Sequence, residues 1–302
     1  MRRSCFAFLL GLAFTAHAQD AEVGVRYWYS EGKSTRSHNA QGLAPSLGNP
    51  TSVLTYTNVD AHALELYGRK NFDAGWFVKG NAGLGAITRG SFDDEDFFAG
   101  QVKFSDTTSS VQGNKLSYAS VDLGRDLWRF YNGSAGLFIG YQFWRERLDA
   151  YGVVFTLTNP PATLEGGSVP AISNETTWRG LRLGFTSTGY LSPATRLTLE
   201  AVLVPYAKVR DEDSHWLRTD PSSGAFFLGP PPNIFMEGTG YGAQLELELR
   251  HQMSQSWEVG AGLRWWWLTA RDGTREAVGT SVPLKELESQ RGGLTLSLIR
   301  RW

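Results

Sequence analysis

The chain has 302 residues and a formal net charge of −1. This balance lacks the basic excess of a nucleic-acid-binding protein, so we expect no DNA or RNA partner. The single cysteine is Cys5, so the sequence after it offers no thiol for a disulfide, a metal site or a nucleophile.

The N-terminal segment has the pattern of an export signal. Arg2 and Arg3 precede an apolar run that ends at a small-residue site at 16–18. We therefore expect residues 1–18 to be removed and residues 19–302 to form a single domain. Because the removed segment carries two arginines and no acid, the formal charge then falls from −1 to −3.

The next elements along the chain are strands with one apolar face. Leucine or another apolar residue alternates with polar residues over 197–203, 245–250 and 294–298. Such alternation places one kind of side chain on each face of a β-strand. No segment after the export signal has the roughly 18 consecutive apolar residues that a membrane helix needs.

A soluble sandwich and a membrane barrel both show this alternation, and the aromatic residues favour the barrel. The sequence contains 34 glycines and 11 tryptophans. Aromatic residues cluster at 27–29 and 265–267, and Trp302 follows an alternating strand. Outer-membrane barrels carry aromatic girdles at both membrane interfaces. We therefore predict a barrel in the bacterial outer membrane.

Turn signals give the number of strands. They lie at 71–73, 131–133, 191–193 and 253–255, about 60 residues apart. Longer polar stretches lie at 37–50, 91–111, 151–173, 211–237 and 271–287. In a membrane barrel short turns face the periplasm and long loops face outward. We predict an all-β fold, a ten-stranded antiparallel transmembrane β-barrel with short periplasmic turns and five long extracellular loops. An even number of strands closes an antiparallel sheet without a free edge.

Two acidic clusters fall where predicted strands enter external loops. In an extended backbone Asp94 and Asp96 share one face, and Asp211, Asp213 and His215 share another. If the fold brings the two clusters to facing walls, their carboxylates and the imidazole can converge on one water molecule. This arrangement indicates a hydrolase whose site faces outside the cell.

The two motifs resemble those of the omptin family of outer-membrane endopeptidases. That family pairs an Asp-x-Asp after its third strand with an Asp-x-Asp-x-His after its seventh, and this chain has Asp94-Glu95-Asp96 and Asp211-Glu212-Asp213-Ser214-His215 there. The resemblance implies a ten-stranded barrel that cuts peptides or proteins at the cell surface as an aspartic-type endopeptidase. It also implies no cofactor, and a monomer.

The resemblance assigns roles to individual residues. Asp213 and His215 correspond to the catalytic dyad, and Asp94 and Asp96 to the pair that binds the water. Asp211 corresponds to one wall of a pocket for a basic substrate side chain.

Further positions concern lipid and specificity. Tyr141 and Arg145 correspond to outward residues that contact lipopolysaccharide. Lipopolysaccharide is therefore an expected partner, and whether activity requires it stays open. Arg36 stands where the family places a pocket glutamate, and Phe143 replaces an acidic residue of the lipid patch. A preference for cleavage beside Arg or Lys therefore also stays open.

The residue types suit hydrolysis without a covalent intermediate. His215 is the expected general base, and Asp213 can fix its tautomer and stabilise the imidazolium. Asp94 and Asp96 would share a proton, because close like charges oppose double ionisation. We expect activity to be highest near neutral pH and to be lost on acidification.

Other interpretations of the same residues remain. The acidic motifs could be solvated loop segments, or they could bind a divalent cation such as calcium with His215. The alternative function is a non-catalytic outer-membrane barrel, which would be a structural protein, an adhesin or a small pore. Apolar residues at 226–228 and 234–236 would then make surface contacts.

Overall fold

The computed structural model describes residues 21–302, apart from the side chains of residues 223, 225 and 226. The expected export signal at 1–18 lies outside the described residues. The strands are β1 (Ala21–His38), β2 (Ser52–Asn71), β3 (Trp76–Phe98), β4 (Val102–Val111), β5 (Asn114–Phe130), β6 (Gly133–Phe155), β7 (Ala162–Ser192), β8 (Thr195–His215), β9 (Ile234–Gln252), β10 (Trp257–Ala277) and β11 (Thr280–Arg301). Among the described residues, no helix is long and apolar enough to cross a bilayer.

The strands form one closed antiparallel ring of ten columns. Apart from β4 and β5, consecutive strands pair with each other, and β11 pairs with β1 to close the ring. One column is shared by two strands: β5 pairs with residues 76–87 of β3, and β4 pairs with residues 90–98. Both also pair with β6. The all-β barrel predicted from the sequence is confirmed, with β4 stacked on the end of β5.

The connections differ in length at the two ends of the barrel. Short turns join β2 to β3, β5 to β6, β7 to β8 and β9 to β10, where the sequence predicts them; we call this the turn end. The connections at the opposite, loop end are shorter than predicted, as at 278–279 and 156–161. They are shorter because the strands continue far beyond the apolar belt.

An apolar belt surrounds the outside of the barrel. On β1, Val23, Val25 and Tyr27 point outward and are exposed, whereas Arg26 and Trp28 point inward and are buried. Exposed leucines continue the belt around the ring at Leu64, Leu66, Leu245, Leu247, Leu294 and Leu296. A bilayer requires this arrangement, apolar outside and polar inside, of a spanning barrel.

Ion pairs line the interior near the turn end. Glu65 accepts hydrogen bonds from Arg26 at 3.0 Å and from Arg264 at 2.6 Å, and Arg250 pairs with Glu22 at 2.8 Å. These side chains line a cavity of about 520 Å³. Buried charges need such partners, because an uncompensated charge costs several kcal/mol.

An aromatic layer crosses the interior next to the ion pairs. Trp28, Tyr118, Trp144 and Trp266 come from four different strands, and the ring centroids of Trp144 and Trp266 are 4.9 Å apart. Trp28 lies 5.3 Å from Trp266 and 5.6 Å from Tyr118. The rings therefore separate the ionic interior of the turn end from the loop end of the barrel.

Candidate active site

Asp94 and Asp96 lie on the loop-end half of β3, beyond the apolar belt. Asp94 is in register with Leu54 and Asp96 with Ser52 on β2. Because Phe92 on the same face of β3 is buried in the core, the alternation directs both aspartates inward. Both carboxylates are half-buried. The shared face predicted for this pair is therefore present.

Asp213 and His215 end β8 and also point inward. The Nε2 atom of His215 lies 3.2 Å from Oδ2 of Asp213, and both side chains are buried. The other carboxylate oxygen, Oδ1 of Asp213, has no hydrogen-bond partner among the described residues. A carboxylate that binds one ring nitrogen fixes the tautomer and leaves the other nitrogen, Nδ1, available.

The two pairs face each other from opposite walls of the ring. β3 and β8 are not neighbours in the sheet, yet the charges of Asp94 and Asp96 act on His215, and that of Asp213 acts on Asp94. The closed barrel thus brings together two motifs that lie far apart in the sequence.

The aspartate pair is hard to ionise. Burial and the charge of Asp96 raise the pKa of Asp94 to about 7. Burial also raises the pKa of Asp96, against a hydrogen bond from Ser52 that favours the carboxylate. One proton is therefore retained by the pair near neutral pH, as expected for close carboxylates in a partly desolvated site.

His215 experiences opposing effects. Burial alone would lower the pKa of His215, but the charge and hydrogen bond of Asp213, together with Asp94, raise this pKa above its ordinary value of 6.5. A carboxylate beside an imidazole has this effect because it stabilises the protonated ring. The histidine is therefore a stronger base than a solvated one.

A second buried ion pair lies beside the dyad. Nε of Arg36 on β1 lies 2.9 Å from Oδ2 of Asp211, and both side chains are almost fully buried. The carboxylate also accepts a hydrogen bond from Nδ2 of Asn174 at 3.0 Å and one from the hydroxyl of Thr176. Asp211, the residue expected to bind a basic substrate side chain, thus already has an internal cation.

Asn233 holds the backbone of His215 in place. Its Oδ1 accepts the His215 N–H at 3.0 Å, and its Nδ2 donates to the His215 carbonyl at 3.3 Å. The backbone N–H of Asn233 also donates to the Asp213 carbonyl at 3.1 Å. Neither this residue nor Asn174 was predicted, because in a single sequence nothing distinguishes them from other polar residues near strand ends.

Cationic side chains complete the surroundings of the site. Arg275 on β10 points inward, in register with the buried Met236 and Val282. Arg218 lies in a short helical turn directly after β8. The charges of both arginines act on Asp94. Among the described residues, no group of three or more His, Cys, Asp or Glu side chains could hold a metal ion.

Comparison with known proteins supports the architecture. No family model and no curated protein matches the sequence. The structure matches that of the outer membrane protease OmpT from Escherichia coli with a TM-score of 0.75 at 12% identity, covering 96% of this chain and 99% of that chain. The fold is that of an outer-membrane barrel.

Other solved barrels are much less similar. The attachment invasion locus protein Ail of Yersinia pestis gives a TM-score of 0.30 at 7% identity, covering 94% of this chain and 99% of that one. The toluene transporter TbuX of Ralstonia pickettii gives 0.32 at 9% identity, covering 95% and 90%. Such scores do not indicate a shared strand arrangement. At 12% identity, the likeness to OmpT shows the fold alone.

The residues expected to contact lipopolysaccharide lie on the outside of this barrel. Tyr141 and Arg145 point outward from β6 and are exposed, and Arg145 pairs with Glu175 on β7. Of the apolar residues considered for surface contacts, Ile234 and Met236 are buried inside the barrel. They are therefore not available to a partner.

Proposed function

We propose that this protein is an endopeptidase of the outer membrane that hydrolyses peptide bonds with an activated water molecule. The observation that carries the proposal is the buried Asp213–His215 pair, which faces Asp94 and Asp96 across the loop end of the barrel. The fold shared with an outer membrane protease adds support.

In the proposed mechanism His215 acts as the general base. Its Nε2 is held by Asp213, so Nδ1 is the atom that takes the proton from water as the water attacks the scissile carbonyl. Asp213 then stabilises the imidazolium that develops. Asn233 positions the ring indirectly by fixing the backbone that carries it.

Asp94 and Asp96 hold the water from the other wall. Because the pKa of Asp94 is about 7, the pair keeps a proton near neutral pH that can be donated to the leaving amine or the oxyanion. The remaining carboxylate oxygens accept hydrogen bonds from the water. No covalent intermediate is needed in this scheme.

The proposal also includes the orientation of the protein in the outer membrane. The loop end carries the site and faces the exterior, with the apolar belt in the outer membrane. Tyr141 and Arg145 lie on the outer wall, where the guanidinium can pair with phosphate of lipopolysaccharide. Peptides and proteins outside the cell are the substrates.

The test compares His215→Ala and Asp213→Ala with wild type on a peptide library. Loss of the general base should lower kcat by about 10²- to 10⁴-fold. His251→Ala is the matched control, because His251 lies at the turn end, bonded to Thr195. Each variant is first checked for heat-modifiable mobility, which reports a folded barrel. Undiminished cleavage by both folded alanine variants would rule out the mechanism.

A non-catalytic role in surface contacts is the second candidate. It is favoured by exposed apolar side chains at the tip of the β3–β4 hairpin, namely Phe98, Val102 and Phe104. Apolar residues exposed beyond the membrane belt are typical of contact surfaces. If wild type cleaves nothing in the library, this role becomes the leading one.

A further inference from the structure

The buried pair of Arg36 and Asp211 removes an anion from the site. The carboxylate of Asp211 is fully buried and hydrogen-bonded by Arg36, Asn174 and Thr176. A positively charged substrate side chain would have to displace Arg36 to reach it. Leaving that guanidinium buried without a partner would cost several kcal/mol. A basic residue is therefore a poor ligand for this wall.

Arg275 presents the opposite charge to the same space. Its side chain is half-buried and points inward above Met236 on β9, the residue that is in register with Asp211 on β8. Among the described residues its side chain forms no hydrogen bond or close ion pair, and only the longer-range charges of Asp213, Asp96 and Asp94 attract it. A partly desolvated guanidinium without a bonded partner is unusual, because burial of a charge is unfavourable unless a ligand or counter-ion compensates.

The charged groups around Arg275 come from several elements. Asp94 and Asp96 attract it from β3 and Asp213 from β8, while Arg218 repels it from the turn after β8. His38 on β1 is neutral near pH 7, because burial and the charge of Arg275 lower the pKa of His38 to about 3.

Those acids are only partly available to Arg275. Asp213 is engaged with His215, and Asp94 and Asp96 retain a shared proton. The charge of Arg275 is therefore not fully neutralised within the site.

We propose that Arg275 binds the carboxylate of an acidic substrate side chain next to the scissile bond, so that this protein selects peptides containing Asp or Glu there. The planar guanidinium offers two parallel N–H donors, which match a carboxylate. Arg218 adds positive potential from the loop. This inference rests on the proposed peptidase function and names its substrate class.

The experiment uses peptides blocked at both ends, so that no terminal carboxylate is present. Product mapping on a library first locates the cleaved bond, and three peptides then differ only in Glu, Gln or Lys beside it. Wild type should cleave the Glu peptide about 10- to 100-fold faster in kcat/KM than the Gln peptide, the range for a hydrogen bond between charged groups.

Substitutions identify the residue responsible. Arg275→Gln should remove the advantage of the Glu peptide over the Gln peptide, measured as the ratio of the two kcat/KM values within the same variant, whereas Arg275→Lys should retain part of this advantage. Arg275→Glu should favour the Lys peptide. Arg271→Gln is the matched control, because Arg271 lies on the outside of the same strand and pairs with Glu286 at 3.1 Å.

The outcomes separate the two proposals. A wild type that cleaves the Lys peptide as fast as the Glu peptide would overturn the acidic preference and leave the peptidase intact. A folded Arg275→Gln variant that keeps the Glu preference would also overturn it. A wild type that cleaves no library peptide would instead overturn the peptidase function on which the inference rests.

Discussion

At the scale of residues, the proposed base depends on one neighbour. The carboxylate of Asp213 is the main influence that raises the pKa of His215 against the effect of burial. The base must be unprotonated to accept a proton from water, so activity is lost as the pH falls through that raised pKa.

The pH profile is the first consequence. The acid limb of kcat/KM should have its midpoint above pH 6.5, the ordinary value for histidine. Asp213→Asn should move the midpoint to lower pH, because the amide no longer stabilises the imidazolium, and should also lower kcat. Initial rates between about pH 5 and pH 9 measure both effects. An unchanged midpoint in the folded Asn variant would contradict this assignment.

The Arg36–Asp211 pair gives a prediction about stability. Arg36→Met leaves a buried carboxylate without its cation and should lower the free energy of unfolding by about 3–5 kcal/mol. The double variant with Asp211→Asn should recover most of that loss, since no charge remains. Arg210→Gln is the control, because Arg210 is exposed outside the barrel and its pairs should contribute less than about 1 kcal/mol.

Denaturant unfolding of the refolded barrel measures these differences. If Arg36→Met and Arg210→Gln lowered the free energy of unfolding by the same amount, the buried pair would not be essential for stability.

Sequence alternation predicts which face each site residue takes, and it does so for Asp94, Asp96, Asp213 and His215. It does not predict which side chains meet across the interior. Arg36 and Asp211 are separated by 175 positions in the chain. Their contact depends on the number of columns and the stagger between strands, and neither quantity is encoded in a local pattern.

At the scale of elements, the strands of the loop end are the main difference from the sequence prediction. The segment 91–111, expected to be a loop, contains the end of β3 and all of β4. Apolar alternation reveals a strand only where one face meets lipid or a core. In this segment the inward positions include the polar Asp94 and Asp96 beside the buried Phe92, and the outer face meets water, so the hydrogen-bonded ladder leaves little apolar alternation in the sequence.

The β3–β4 hairpin can be removed to test its role. Deleting residues 91–112 joins Gly90 to Gly113 and leaves a short turn between Ile87 and Asn114, which are register partners. Because β5 alone completes the tenth column within the apolar belt, the barrel should still fold and show heat-modifiable mobility. Peptide cleavage should be absent, since Asp94 and Asp96 are gone. Loss of folding would mean that the hairpin is part of the barrel's stable core.

At the scale of the whole molecule, the interior is arranged in layers along the barrel, with a cavity among the ion pairs of the turn end. Ion pairs occupy the turn end, the rings of Trp28, Tyr118, Trp144 and Trp266 form the next layer, and the proposed site occupies the loop end. A small barrel packed with side chains leaves no continuous channel.

The aromatic layer leads to a prediction about ion conductance. Purified protein inserted in a planar bilayer should show no steady ion conductance, because the aromatic layer interrupts the aqueous path. A large open pore refolded under the same conditions is the positive control. Stable conductance steps from the folded protein would instead favour the pore interpretation of the barrel.

The seam between the first and last strands has a consequence for biosynthesis. The Ala21 N–H donates to the Trp302 carbonyl at 3.3 Å, and the Trp302 N–H donates to the Ala21 carbonyl at 3.2 Å. Bringing these ends together costs the chain entropy of the entire domain before any bond of the seam forms. A chain in which β11 has not yet paired with β1 therefore carries two bare sheet edges, and these have to be shielded from other chains until the seam forms.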